Sequence, residues 1–100
     1  MNILRVNRGK VEILKSNGSY IRSIGKGDAV FADFNSDQTL IAITRANGYV
    51  EIYKENGSYI RSIGKNDTVQ ARWNGKEIVI QRKNGITELY KENGNYIRTI

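Results

Sequence analysis

Apolar and polar residues alternate in short runs along almost the whole chain. Residues 50–54 read VEIYK and residues 40–45 read LIAITR, and each run is bounded by Asn, Gly, Asp or Ser. Runs of this length with a period of two, rich in β-branched and aromatic residues, predict β-strands rather than helices. The whole pattern predicts strands at residues 2–6, 10–15, 19–24, 30–34, 40–45, 49–54, 58–63, 69–73, 77–82, 86–91 and 95–100.

One phrase occurs three times in the chain. Residues 9–26 read GKVEILKSNGSYIRSIGK, residues 48–65 read GYVEIYKENGSYIRSIGK, and residues 85–100 read GITELYKENGNYIRTI. A period near forty that is built from four short strands, here called a to d, is typical of β-propeller blades. We therefore predict an all-β repeat domain over residues 1–100. It consists of a partial blade at 1–26 (strands b, c and d) and full four-stranded antiparallel blades at 27–65 and 66–100.

Residues 30–63 resemble a WD-repeat unit. Residues 34–37, FNSD, match the Phe-Ser-Pro-Asp-Gly element at the end of one strand of that family. Residues 47–54, NGYVEIYK, match its Asp-Gly-x-Val-x-Ile-Trp-Asp element, although Tyr53 and Lys54 replace Trp and Asp and no Gly-His pair occurs. The stretch from strand c to strand d also looks like NHL propeller repeats. The resemblance implies propeller-type blades, a fold that serves binding modules, scaffolds and some enzymes.

Two full blades and one partial blade do not close a ring, because propellers have about four to eight blades. Unpaired sheet edges promote aggregation, and closed homo-oligomers remove such edges. We therefore expect the ring to close by homo-oligomerisation, as a dimer of about six blades in preference to a trimer of about eight or nine. Strand exchange between chains is a variant of this dimer. The alternative is a truncated, shuffled or designed piece of a longer propeller.

The residue types of the chain argue against an enzyme. It has no Cys and no His, which removes disulfides, thiolate metal sites and the usual general base. Asp28, Asp33, Asp37 and Asp67 do not pair at a spacing that indicates acid–base catalysis, and no phosphate or calcium loop occurs. We expect no enzymatic activity, no cofactor and no metal. Without a long apolar run or a signal peptide, we also expect a soluble, cytoplasmic protein that does not contact membranes.

The positive charge gives the most direct indication of a partner. The formal net charge is +6, which favours an anionic partner such as nucleic acid or an acidic protein surface. A solvated surface without a ligand is the alternative. In a propeller the b–c and d–a loops lie on one face, where Asp28 and Asp67 would partly offset Lys26 and Lys65. The candidate binding residues are Arg8, Lys26, Arg45, Lys65, Arg82 and Lys83.

Two other functions remain open at this stage. One is a carbohydrate-binding propeller with a sugar pocket in each blade or blade junction. The single Trp73, which aligns with Phe34 and is expected in the core, argues against it, as does the scarcity of aromatic loop residues. The other is a structural or engineered assembly that binds no ligand.

Tyrosine and arginine recur in register within strand d, as Tyr20, Tyr59 and Tyr96 and as Arg22, Arg61 and Arg98. They could form one ligand site per blade. We favour packing between neighbouring strands, with a Lys or Arg stem on each Tyr ring.

Asn-Gly pairs at 17–18, 56–57, 74–75 and 93–94 predict two-residue hairpin turns, because both residue types accept positive φ. The second of these turns would place Tyr59 opposite Lys54.

Overall fold

The computed structural model describes all 100 residues and contains β-strands joined by turns and short loops, without a helix. Each strand lies within one residue of its predicted bounds. The strands are β1 (Ile3–Asn7), β2 (Lys10–Leu14), β3 (Tyr20–Ile24), β4 (Ala29–Phe34), β5 (Leu40–Arg45), β6 (Val50–Lys54), β7 (Tyr59–Ile63), β8 (Thr68–Asn74), β9 (Glu77–Arg82), β10 (Thr87–Lys91) and β11 (Tyr96–Thr99). The prediction of an all-β fold is confirmed.

The strands form three antiparallel sheets that follow one another along the chain. The first sheet has the order β1-β2-β3, the second β4-β5-β6-β7 and the third β8-β9-β10-β11. Strands β4 and β8 therefore correspond to the predicted strand a, which the first sheet lacks. Three sheets of three or four strands, each a simple meander, are consistent with propeller-like blades.

Two apolar cores lie between the three sheets, one at each junction of neighbouring sheets. Residues of the first sheet meet residues of the second in one core: Val11, Ile13, Ile24, Ala29, Ile41, Ile43 and Tyr53. Residues of the second sheet meet the third in the other: Ala42, Val50, Ile52, Ile63, Ala71, Ile78, Ile80 and Tyr90, with Trp73 packed against them. Because neighbouring residues of a strand point to opposite faces, the central sheet must be apolar on both. This explains the nearly unbroken apolar run of β5. Trp73, expected in the core, is half-buried and packs against the second core.

The c–d turns are longer than predicted. The Gly57 N–H donates to the Lys54 carbonyl, and the Lys54 N–H donates to the Ser58 carbonyl. Gly57 has a φ of 96° whereas Asn56 is not left-handed, which fits a type I turn followed by a glycine bulge. The bulge places Tyr59 opposite Tyr53, so the predicted pairing of Tyr59 with Lys54 is wrong. The turns before β3 and β11 shift the register in the same way.

The a–b turn of the third sheet is also displaced from its prediction. Asn74 pairs with Glu77, so the two central residues are Gly75 and Lys76 rather than Asn74 and Gly75. Only Gly75, with a φ of 62°, is left-handed. Asn74 stays in the strand because a hairpin with glycine first needs only one left-handed residue.

The hairpin of the first sheet differs from the other b–c connections. Arg8 and Gly9, with φ values of 53° and 84°, form a tight turn between the paired residues Asn7 and Lys10. Four residues separate the pair Val6 and Val11, whereas five separate the equivalent pair of β5 and β6. A one-residue change reverses the faces of a strand. Leu4 consequently packs towards the second sheet, while Ile3 and Arg5 lie on the outer face of the first.

The same hydrogen bonds join both pairs of neighbouring sheets. A b–c glycine carbonyl accepts the N–H of the first strand in the next sheet, and a strand-d arginine donates to a c–d turn carbonyl of that sheet. These bonds are Ala29 N to Gly9 O at 2.9 Å, Thr68 N to Gly48 O at 3.0 Å, Arg22 to Glu55 O at 2.8 Å and Arg61 to Glu92 O at 2.7 Å. The repeated arginine therefore reaches the next sheet instead of lying on the tyrosine of its own strand.

The repeated tyrosines are held within their own sheets. The hydroxyl groups of Tyr20, Tyr59 and Tyr96 lie 3.0, 2.9 and 2.6 Å from the hydroxyls of Ser23, Ser62 and Thr99. The rings of Tyr59 and Tyr96 pack edge-on against Tyr53 and Tyr90. Lys26, from the preceding loop, lies 5.8 Å above the Tyr59 ring. The one cation–ring contact therefore comes from a loop rather than from a neighbouring strand, and the rings of Tyr59 and Tyr96 pack against aromatic neighbours.

Candidate functional site

Five connections meet at one end of the stacked sheets. They are the b–c connections at 8–9, 46–49 and 83–86 and the d–a loops at 25–28 and 64–67. Backbone hydrogen bonds from Ala46 to the Asp28 carbonyl and from Lys83 to the Asp67 carbonyl tie these connections together. All six candidate binding residues belong to this end of the molecule, which we call the basic end.

Two of the six candidates are held by aspartates. Arg45 Nε lies 2.9 Å from an Asp28 carboxylate oxygen, and an Arg82 terminal nitrogen lies 2.6 Å from Asp67. The hydrogen bond from each arginine lowers the pKa of its aspartate, against the opposing effect of burial. The arginine side chains are only 19% and 16% exposed. They brace the d–a loops against the ends of β5 and β9, and little of their charge faces solvent.

A buried carboxylate extends the first of these ion pairs into a network. Glu51 accepts hydrogen bonds from Lys26 Nζ at 2.9 Å and from the Tyr53 hydroxyl at 2.8 Å. An Arg45 nitrogen lies 3.5 Å away. Lys26, a third candidate, is therefore also paired within the chain. Burial, and secondarily the hydrogen bond to Glu51, raises the pKa of the Tyr53 phenol.

The third sheet repeats this network without the lysine. Glu88 accepts a hydrogen bond from the Tyr90 hydroxyl at 3.0 Å and lies 3.5 Å from Arg82. Burial and this hydrogen bond raise the pKa of Tyr90 to about 12. Lys65, which aligns with Lys26, makes no ion pair with Glu88. The repeated Asp, Arg, Glu and Tyr positions thus form a structural unit.

Three candidates remain free of carboxylate partners. Arg8, Lys65 and Lys83 are exposed, and none has a carboxylate oxygen within 4.0 Å. Each belongs to a different connection of the basic end. The sequence suggested that Asp28 and Asp67 offset Lys26 and Lys65, but the structure pairs these aspartates with Arg45 and Arg82 instead. The recurrence of an aspartate in both d–a loops, as Asp28 and Asp67, was the signal that some cations of this end are paired, but the sequence does not show which ones.

The aspartate–arginine pairs predict a loss of stability in acid. Asp28 and Asp67 have lowered pKa values in the folded state, so their stabilisation is present above the unfolded value of 3.8 and is lost as the pH falls through the folded values. We expect the urea midpoint of the wild-type protein to fall from about pH 5 downwards. The D28N/D67N variant should be less stable at pH 7 and should show a shallower acid dependence. If the urea midpoint fell with pH equally steeply in the wild type and in D28N/D67N below about pH 5, the stabilising role of these pairs would be contradicted.

The opposite end of the sheets carries a cleft of about 430 Å³. Its polar groups mostly stabilise their own turn, since Asn35 accepts the Leu40 N–H and Asp37 accepts the N–H and hydroxyl of Thr39. Lys76 and Glu92 leave its charge mixed, and no aromatic ring lines it. The cleft therefore offers neither a stacking platform for a sugar nor a single charge sign for an ion.

The comparisons with known proteins suggest no function for this chain. The assignment of function therefore rests on the geometry of the basic end. No protein-family model matches the chain, and no curated protein matches it either. The structure contains no group of three or more acidic side chains placed to hold a metal ion. None of its elements is a helix of the length and apolarity that crossing a membrane requires.

Proposed function

We propose that this protein is a non-enzymatic scaffold that binds an anionic partner through its basic end. The observation that carries this proposal is that Arg8, Lys65 and Lys83 are exposed and unpaired at one end, whereas the other candidate cations are compensated within the chain. Three unpaired positive charges at one end create a field that attracts anions and persists until salt screens it.

The braced loops support binding because they hold the free cations in place. Lys83 follows Arg82 directly, and its N–H donates to the Asp67 carbonyl at 2.8 Å. Lys65 is two residues from Asp67, in the loop that Arg82 braces. Side chains on a fixed backbone lose less conformational entropy on binding than side chains on a mobile loop. The ligand class that fits is a phosphate backbone or an acidic protein surface.

We further propose that the three sheets are propeller-type blades and that copies of the chain complete the ring. The repeated hydrogen bonds between neighbouring sheets support this view, because a fixed relation between successive sheets builds a curved array. In a dimer of about six blades, each chain would add its three free cations to the same face. Association would therefore strengthen anion binding without any new residue.

Replacing the three free cations should weaken anion binding strongly. We expect R8A/K65A/K83A to elute from heparin at lower salt and to bind single-stranded DNA with a smaller salt dependence. If all three side chains touch phosphates, the slope of log affinity against log salt falls by about 2, because each phosphate neutralised contributes about 0.7. Fluorescence anisotropy with a labelled oligonucleotide, titrated at several salt concentrations, measures the slope.

The matched control removes the same charge from the opposite end. K54A/K76A/K91A changes three exposed lysines and leaves the basic end intact. It should retain the wild-type slope and most of the affinity. Equal losses in the two triple variants would show that net charge alone drives binding and would contradict a site at the basic end.

A further inference from the structure

We propose that the outer face of the third sheet binds the outer face of the first sheet of a second copy, with Arg98 donating a hydrogen bond to the Ser16 carbonyl. This inference rests on the self-association included in the proposed function, and it specifies which surfaces meet and in which direction. The surfaces are called the rear face, on the third sheet, and the front face, on the first sheet.

The two junctions within the chain define what such an interface requires. On one side, a strand-d arginine and an isoleucine two residues later project towards the next sheet. On the other side, a c–d turn carbonyl accepts the arginine and apolar residues receive the isoleucine. At the junction of the second and third sheets the donor is Arg61, the acceptor is the Glu92 carbonyl, and Ile63 joins the core.

The rear face carries the donor half of this interface without a receiver. Arg98 aligns with Arg22 and Arg61, but its guanidinium makes no hydrogen bond in the chain, whereas each of the other two donates to a turn carbonyl. Ile100 aligns with Ile24 and Ile63, which are 6% and 2% exposed, yet it is 72% exposed itself. A third set of donor residues is therefore present and uncovered.

The front face carries the acceptor half. Ser16 aligns with Glu55 and Glu92, whose carbonyls accept the arginines, and its own carbonyl makes no such bond. Ile3 and Ile41 occupy the same position of strand b, because Ile3 pairs with Leu14 and Ile41 pairs with the equivalent residue, Tyr53. Ile41 is fully buried, whereas Ile3 is 45% exposed. The turn carbonyl and the strand-b residue that would receive a preceding sheet are thus in place, although strand a is missing from the first sheet.

The two halves belong to opposite ends of the same stack, so they cannot meet within one chain. Placing the rear face of one copy against the front face of another repeats the arginine and isoleucine contacts already formed twice, without the strand-a N–H that would donate to the Gly85 carbonyl, because the first sheet has no strand a. This is a head-to-tail interface between two different surfaces, and it closes into a ring when the rotation per chain allows it. A second copy therefore matches the rear face by continuity with the interface that the chain itself displays.

Removing the Arg98 hydrogen bond should weaken association selectively. We expect R98A to raise the dimer dissociation constant about tenfold for each junction that lacks this bond, because a hydrogen bond from a charged donor to a carbonyl is worth about one factor of ten or more. Ile100→Glu should weaken association as well. Lys54→Ala, which removes an exposed lysine of the second sheet outside both faces, is the control and should leave the dissociation constant unchanged. Sedimentation velocity over a concentration series measures these constants, and circular dichroism confirms that each variant is folded.

Charge exchange tests the direction of the interface. Ile3→Lys and Ile100→Glu should each associate weakly alone, whereas an equimolar mixture should associate more tightly, because one of its junctions is wild-type and the other joins lysine to glutamate. Failure of the mixture to recover association, or no effect of R98A on an associating wild type, would overturn the head-to-tail interface and leave self-association standing. A wild-type protein that stays monomeric would overturn both.

Discussion

Replacing Gly48 with alanine should destabilise the protein by about 2–5 kcal/mol. Gly48 has a φ of 87°, a conformation that costs a residue with a Cβ about 1–2 kcal/mol. An added Cβ would also overlap the Asn66 carbonyl oxygen and lie 2.5 Å from the carbonyl carbon. Forcing atoms into a filled space costs about 1–3 kcal/mol more. The clash would separate the second and third sheets where the Gly48 carbonyl accepts the Thr68 N–H.

Gly85 provides the matched control for this effect. It occupies the same repeat position with a φ of 88°, but no atom lies within 4 Å of the site where a Cβ would be added. Gly85→Ala should therefore cost only the conformational strain, about 1–2 kcal/mol. Urea unfolding at one protein concentration, chosen because association adds to apparent stability, gives both values. Equal costs at Gly48 and Gly85 would contradict the close approach of the d–a loop to Gly48.

Replacing Glu51 with alanine should cost about 3 kcal/mol. The carboxylate is buried and accepts hydrogen bonds from Lys26 and Tyr53, with Arg45 nearby. Its removal leaves the Tyr53 hydroxyl without its acceptor in a buried position and leaves Arg45 with a single carboxylate partner. Losing one member of a buried charged network typically costs about 3–5 kcal/mol, and the lower end applies here because Lys26 can return to water.

Glu88 tests whether the number of partners of a buried carboxylate determines how much stability is lost when that carboxylate is removed. Its side chain is 12% exposed, and it has Tyr90 and Arg82 as partners but no lysine. We expect Glu88→Ala to cost about 1–2 kcal/mol. Glu51→Gln, which keeps the shape and one acceptor oxygen, should fall between the two alanine variants. A larger loss for Glu88→Ala than for Glu51→Ala, measured by urea unfolding, would be incompatible with Glu51 as the centre of the better connected network.

Local patterns were sufficient to predict the strands. Alternating apolar residues and turn-forming asparagines and glycines bound each strand to within one residue. Register was harder to predict, because a single residue in a turn reverses every side chain of a strand. The short Arg8–Gly9 turn moved Leu4 towards the second sheet, and the glycine bulge at Gly57 moved Tyr59 opposite Tyr53. Turn type depends on φ at each position, and asparagine tolerates more than one choice.

The candidate site was only partly accessible to sequence reasoning. Loop membership correctly brought the six cations to one end, since the order of strands in a meander determines which loops share an edge. Which of these cations are paired required the structure, because the partners of Arg45 and Arg82 are 17 and 15 residues away in the chain. The reach of Arg22 and Arg61 into the next sheet also depended on how the sheets stack, which no single repeat encodes.

The mass of the wild-type protein in solution tests the central proposal, that one chain's stack of sheets continues into another copy. Light scattering during size-exclusion chromatography, run over a range of concentrations, should give twice the 11.3 kDa of a single chain at high concentration. On dilution, the mass of the R98A variant should fall towards that of one chain at a higher protein concentration than the mass of the wild type does. A folded wild-type protein of 11.3 kDa at every concentration would contradict the proposal.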